Sequence, residues 1–164
     1  MLPNEKNDLL YLLNILENIG KIWKYTEKVK DAEELFELNE QMNLNASLTL
    51  LANIGENVSK ITEVLKDNYP YIGWQQIKNF RNRIVHDYVG IDLAIVYEII
   101  TTDLKKLKPE VEKIINEKIK QKVFDIEEIK ICKESKYYKH IDKAWETFLH
   151  GLNSFSDDFM AEGR

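Results

Sequence analysis

Arg81, Asn82, His86 and Tyr88 fall within one short stretch, Arg81-Asn82-Arg83-Ile84-Val85-His86-Asp87-Tyr88. On a continuous helix, Asn82 and His86 (four apart) share one face, and Arg81 and Tyr88 (seven apart) share the neighbouring face. Arg83 and Asp87 can pair on the far side. The whole set lies within about 10 Å along the axis. Phosphodiester cleavage in RNA needs such groups. A base takes the 2′-hydroxyl proton, an acid protonates the leaving oxygen, and a cation stabilises the extra phosphorane charge. Histidine titrates near neutrality and suits the proton steps. Arginine offers a fixed fork of donors to phosphate oxygens. With the 2′-hydroxyl as nucleophile the chemistry requires no metal and no cofactor. One helix carries one His, so a two-histidine reaction needs a second copy, as a symmetric dimer would supply. The same residue types also make an ordinary solvated helix face, and a core-edge tyrosine is a common structural residue.

Helices with short connections are expected to position this stretch. Asp8 reads as the N-cap of a first helix, with Leu9, Leu12, Leu13, Leu16, Ile19, Ile22 and Trp23 at spacings of three and four, running to about Lys28. Residues 30–40 are charged and suit a short helix or ordered loop. A long helix starts near Asn45 or Ser47, with Leu48, Leu51, Ile54, Val58, Ile61 and Leu65 on one face. Gly55 inside it suggests close helix–helix approach. Tyr69-Pro70-Tyr71-Ile72-Gly73-Trp74 breaks the chain into a turn. The motif helix then runs from Trp74 or Gln75 to about Val89-Gly90. Asp92 is placed to N-cap the next helix, and Pro109 marks a kink or a fresh start within it. The reading is all-α: a four- to five-helix antiparallel bundle over residues 1–120, with a C-terminal extension over 121–164. Residues 123–140 fit a strand or a helix equally well, and His140 to Leu152 is helical again.

The 164 residues suit one domain of ordinary size, and 44% hydrophobic content is ample for a core. A net charge of −5 excludes nucleic-acid binding by blanket electrostatics, so an RNA role must rest on a local site. The single cysteine, Cys132, excludes an internal disulfide and a Cys-based zinc site. The polar N-terminus and the lack of a long apolar run point to a cytoplasmic protein away from membranes. Asp142, Glu146 and His150 share a helical face, but such O/N sets are common on solvated helices, so no metal site is assigned. The lysines at 105, 106, 108, 118, 120 and 122 alternate with glutamates and read as a charged surface.

Four motifs in order resemble the HEPN superfamily and, within it, the HepT-type toxins of prokaryotic toxin–antitoxin pairs. They are Ile54-Gly55-Glu56-Asn57, Tyr69-Pro70-Tyr71-Ile72-Gly73-Trp74, the stretch from Arg81 to Tyr88, and Gly90-Ile91-Asp92-Leu93. The resemblance spans roughly residues 5–120. It implies a dimeric helical bundle that is a metal-independent ribonuclease, with Arg81 and His86 catalytic in a composite cleft and Asn82 in support. It also implies a MntA-type nucleotidyltransferase antitoxin as partner, which neutralises the toxin by AMPylation of Tyr88. Some relatives act instead as non-catalytic modules that bind nucleotides or the partner. Such toxins usually stop soon after the helix near 109–120, whereas this chain continues. Ala144-Trp145-Glu146-Thr147-Phe148 and the segment from Phe155 to Arg164 resemble the C-termini of VapB-type antitoxins. That similarity implies contact between the tail and a PIN-type toxin, alongside the plainer reading of a dimer-stabilising tail.

Overall fold

A computed structural model describes residues 3–135 and 138–140. Among them there is helix and no strand, as the apolar spacing predicts. The helices are α1 (Pro3–Thr26), α2 (Ala32–Glu37), α3 (Met42–Lys60), α4 (Glu63–Asn68), α5 (Trp74–His86), α6 (Leu93–Glu98), α7 (Leu104–Lys120) and α8 (Ile126–Glu134). Four long rods make the bundle: α1, α3, α5, and α6 running into α7 through a π-helical turn at Ile99–Asp103.

The core forms where the apolar stripes of these rods meet. Leu9, Leu12, Leu13, Ile15, Leu16, Ile19 and Ile22 of α1 are all buried, against Leu48, Leu51, Ile54 and Val58 of α3 and Val111, Ile114 and Ile115 of α7. Each such side chain contributes roughly 1.5–3 kcal/mol of burial. The π turn has a packing role. The Trp23 indole N–H donates to the Ile100 carbonyl inside it, at 3.1 Å. Pro109 neither starts nor ends a helix but is carried within α7.

Two expected local features are corrected. Asp8 does not cap α1, which starts five residues earlier at Pro3. Its buried carboxylate instead accepts from the Thr62 backbone N–H (2.9 Å) and hydroxyl (2.6 Å). Thr62 is the N-cap of α4, so Asp8 buttresses a helix start 54 residues away. The long helix expected through Leu65 is likewise interrupted, because Ile61 turns to an extended conformation and α4 begins anew. Asp8→Ala should therefore lower stability by about 2–3 kcal/mol, the range for losing hydrogen bonds to a buried charge. A urea melt checks this; a loss below about 0.5 kcal/mol would return Asp8 to a surface role.

Tyr69 closes the turn before α5, donating its hydroxyl to Glu117 Oε2 at 2.8 Å. Burial, then that hydrogen bond and the charge of Glu117, push its pKa well above 10.0. The phenol is thus easier to ionise in the unfolded chain. The stability it contributes is complete below about pH 10 and is lost as pH rises further. Melts across alkaline pH should show that decline, and Tyr69→Phe should flatten it.

Residues past Lys120 also reach the bundle. Phe124 and Ile129 are buried in the same core, and the stretch left open between strand and helix is helical at Ile126–Glu134. The expected helix from His140 onward, the Asp142/Glu146/His150 set and the antitoxin-like tail lie outside the described residues.

Candidate active site

The site is built on α5 and the α3 turn facing it. Gly55 makes the two helices meet. A Cβ there would lie 2.2 Å from Arg81 Cβ and 3.2 Å from the Ile77 carbonyl oxygen, so only a glycine lets α5 come this close. That contact sets the root of the Arg81 side chain. Its far end is held by two acceptors: Nη2 donates to Glu56 Oε2 at 2.8 Å, and Nη1 donates to Asn82 Oδ1 at 3.0 Å. Glu56 also faces Lys60 Nζ at 3.5 Å. The carboxylate thus sits between two cations, with Arg81 about one-third exposed (32%) and Glu56 similarly so (38%).

The guanidinium is thus tied both to α3 and to its neighbour Asn82, and Asn82 and His86, four apart, share a face of α5. The structure therefore brings Arg81, Asn82 and His86 to one end of α5. His86 is the last helical residue and is exposed.

Tyr88 is placed differently from the expectation. The helix ends at His86 rather than at Val89-Gly90; Asp87 is its C-cap, with φ −141°. Beyond Ile84 no apolar side chain of the segment is buried, and Val89 is 97% exposed, so no packing supports another turn. The Asp87 carboxylate lies against Gly90, where a Cβ would be 2.6 Å from its oxygens. The Gly90 N–H bonds the Asp87 carbonyl at 3.2 Å. Tyr88 is consequently off the helix and does not share the face of Arg81. Its phenol reaches across to Asn45 Oδ1 on α3. The expected Arg83–Asp87 side-chain pair is not formed; as C-cap, Asp87 keeps the last helical backbone bond, its N–H donating to the Arg83 carbonyl at 2.8 Å, while its carboxylate lies against Gly90.

Sequence reasoning missed Glu56 and Asn45 as partners. Glu56 was within reach, since it sits in the Ile54-Gly55-Glu56-Asn57 motif beside the close-approach glycine. Asn45 carries no local signal. It follows a left-handed turn at Asn39, Glu40 and Gln41, with φ of 48°, 52° and 68°, that aims the start of α3. Val85 (54%), Tyr88 (47%) and Val89 leave an apolar patch exposed beside His86. A groove of about 790 Å³ runs along another face of α5, walled by Ile77, Phe80, Ile99 and Leu107. Among the described residues no cluster of His, Cys, Asp and Glu is arranged to hold a metal ion, and no helix is long and apolar enough to cross a membrane.

An all-helical bundle presenting Arg, Asn and His at the end of one rod defines a HEPN-like class. The model of one such family, described as Ribonuclease HepT-like, matches residues 15–114. The chain belongs to that family. Three Methanocaldococcus jannaschii proteins are similar to it. Putative RNase MJ1216 is 30% identical over 65% of this chain and 86% of its own length. Putative RNase MJ0125 is 31% identical over 65% and 90%. Gamma-glutamylcyclotransferase and putative RNase MJ0434 is 31% identical over 71% of this chain, which spans 51% of that longer protein. No solved structure matches the chain.

Proposed function

We propose that the protein is a metal-independent endoribonuclease toxin of a toxin–antitoxin pair, acting in the cytoplasm as a homodimer. The observation that carries this is the gathering of Arg81, Asn82 and His86 at the exposed end of α5. The RNase names of its relatives point the same way. In this reading Arg81 binds the scissile phosphate, and an imidazole takes the 2′-hydroxyl proton. The 2′-oxygen bonds to phosphorus, and the P–O5′ bond breaks as an acid protonates the 5′-oxygen. The products are a 2′,3′-cyclic phosphate and a 5′-hydroxyl. Each His86 makes one of these transfers, so apposed copies supply both. The exposed Val85, Tyr88 and Val89 offer the apolar surface for that apposition. Residues 1–120 act as the catalytic bundle and 121–164 as an extension of it.

The Arg81–Glu56 pair must yield for phosphate to bind. A partly exposed pair is worth about 1 kcal/mol or less, so a bidentate phosphate can displace the carboxylate, which keeps Lys60. Tyr88, two residues beyond His86, is the regulatory residue, AMPylated by a MntA-type nucleotidyltransferase antitoxin. A bulky anion there would leave Asn45 and crowd the same helix end. Incubation of the purified dimer with RNA in EDTA tests the reaction; intact RNA would reject it. Intact mass of the protein co-expressed with the nucleotidyltransferase tests the switch, with AMP increments expected on wild type and absent from Tyr88→Phe.

The engagement of Arg81 by Glu56 favours a second reading, a non-catalytic module that binds nucleotides or its nucleotidyltransferase partner. RNA left intact by folded, unmodified protein would select it.

A further inference from the structure

The family match ends at residue 114, so the segment beyond Lys120 is an addition that the functional reading leaves unused. Yet its described part is seated on α1 at Tyr138 and His140. The buried Glu17 carboxylate accepts the His140 backbone N–H at 2.8 Å and faces its ring Nδ1 at 2.9 Å. Gly20 supplies the clearance, since a Cβ there would lie 2.0 Å from the His140 carbonyl oxygen. One turn away, the Tyr138 hydroxyl donates to Asn14 Oδ1 at 2.7 Å. Asn14 Nδ2 donates to Asn57 Oδ1 at 3.1 Å, and Asn57 Nδ2 donates to the Asn53 carbonyl at 2.7 Å.

This chain of bonds crosses the α1–α3 interface and ends in the α3 turn that carries Gly55 and Glu56. Asn57 follows Glu56, which holds the guanidinium, and Gly55, which sets its root. An amide has one accepting and one donating end. With Tyr138 donating, the Asn14 oxygen must face it and the Asn14 nitrogen must face Asn57. Burial raises the Tyr138 pKa, so the phenol keeps its proton and stays a donor. Removing that hydroxyl leaves Asn14 able to flip, which would set two accepting oxygens against each other at Asn57 and release the side-chain lock on the turn.

We infer that Tyr138 is a positioning residue for the Arg81 site, acting through Asn14 and Asn57 on the α3 turn that carries Gly55 and Glu56. As a statement about catalysis this rests on the ribonuclease reading. The full chain carrying Tyr138→Phe is compared with wild type and with Ile131→Ala, a change at an exposed position on α8. Two readouts are taken: kcat and KM on an RNA substrate, and the NMR signals of the Arg81 Nε–H and the Asn14 and Asn57 side-chain amides. Tyr138→Phe should lower kcat about tenfold with KM nearly unchanged, and should shift all three signals. Asn14→Ala should do the same, and the double variant should do no more. Ile131→Ala should change neither readout. A folded Tyr138→Phe protein with wild-type kcat and an unmoved Arg81 signal would overturn the inference. Should wild type leave RNA intact, the functional reading fails, and the Arg81 signal alone decides this proposal. Should Tyr138→Phe not fold, Asn14→Ala carries the same test.

Discussion

Arg81→Ala and His86→Ala are each expected to cut RNA cleavage by about 10²–10⁴-fold while leaving the bundle folded. The two halves of that expectation have separate physical grounds. Folding loses little at either position. The Arg81 guanidinium is partly exposed and its pair with Glu56 is worth about 1 kcal/mol or less. His86 ends its helix in solvent and supports nothing in the core. In the proposed reaction catalysis would lose much, because a cation at the developing phosphorane and a proton-transfer group at the 2′-hydroxyl or 5′-oxygen would act where charge changes. Arg81→Lys should recover only part of the loss, since a single ammonium cannot reproduce the bidentate fork or reach Glu56 and Asn82 together. Initial rates on the purified protein, with melts as the control, measure both halves. Growth arrest on expression should vanish with either alanine variant; arrest undiminished in both would sink the catalytic assignment.

Gly55→Val should be the most damaging single change away from those two side chains. The atom it adds first would stand 2.2 Å from Arg81 Cβ and 2.9 Å from Arg81 Cγ. These atoms root the side chain and cannot swing clear, so α3 and α5 must separate. Overpacking of this kind costs about 1–3 kcal/mol in a core. The cost is compounded because α5 rests chiefly on α3. Separation also pulls the Arg81 root away from the Glu56 turn. Urea melts should show the lost stability, and the folded fraction should cleave RNA more than about tenfold slower, on the sensitivity of positioned groups to a 1 Å shift. Gly55→Ala should give the same pattern at smaller size. Unchanged stability in Gly55→Val would mean that the helices do not meet there in solution.

Periodic burial was legible without coordinates. Leu9 to Ile22 at three- and four-residue spacing could only be one buried face of a helix, and α1 is that helix. Asp92 does cap α6, its carboxylate accepting the Ala94 N–H at 2.8 Å, because that cap is built from residues two apart. Gly55 within a helical pattern correctly signalled close approach, though not that Arg81 was the residue approached. Arg81, Asn82 and His86 are neighbours in sequence, so helix geometry alone sets them on the last two turns of α5.

Contacts between distant parts of the chain were beyond such reading. Asp8 has the type and position of a helix cap, yet it serves Thr62, 54 residues on. Helix α5 has no glycine in a left-handed cap to stop it, and it ends because nothing buries Tyr88 or Val89. That moved Tyr88 off the shared face and onto Asn45. Glu56 reaches Arg81 across 25 positions and Tyr138 reaches Asn14 across 124. Helix periodicity and capping are short-range consequences of backbone geometry and so are written in neighbouring residues. Which polar groups meet depends on how the rods pack, and here that packing is set by a glycine, an early helix end and a carboxylate that buttresses the capping residue of a helix other than its own.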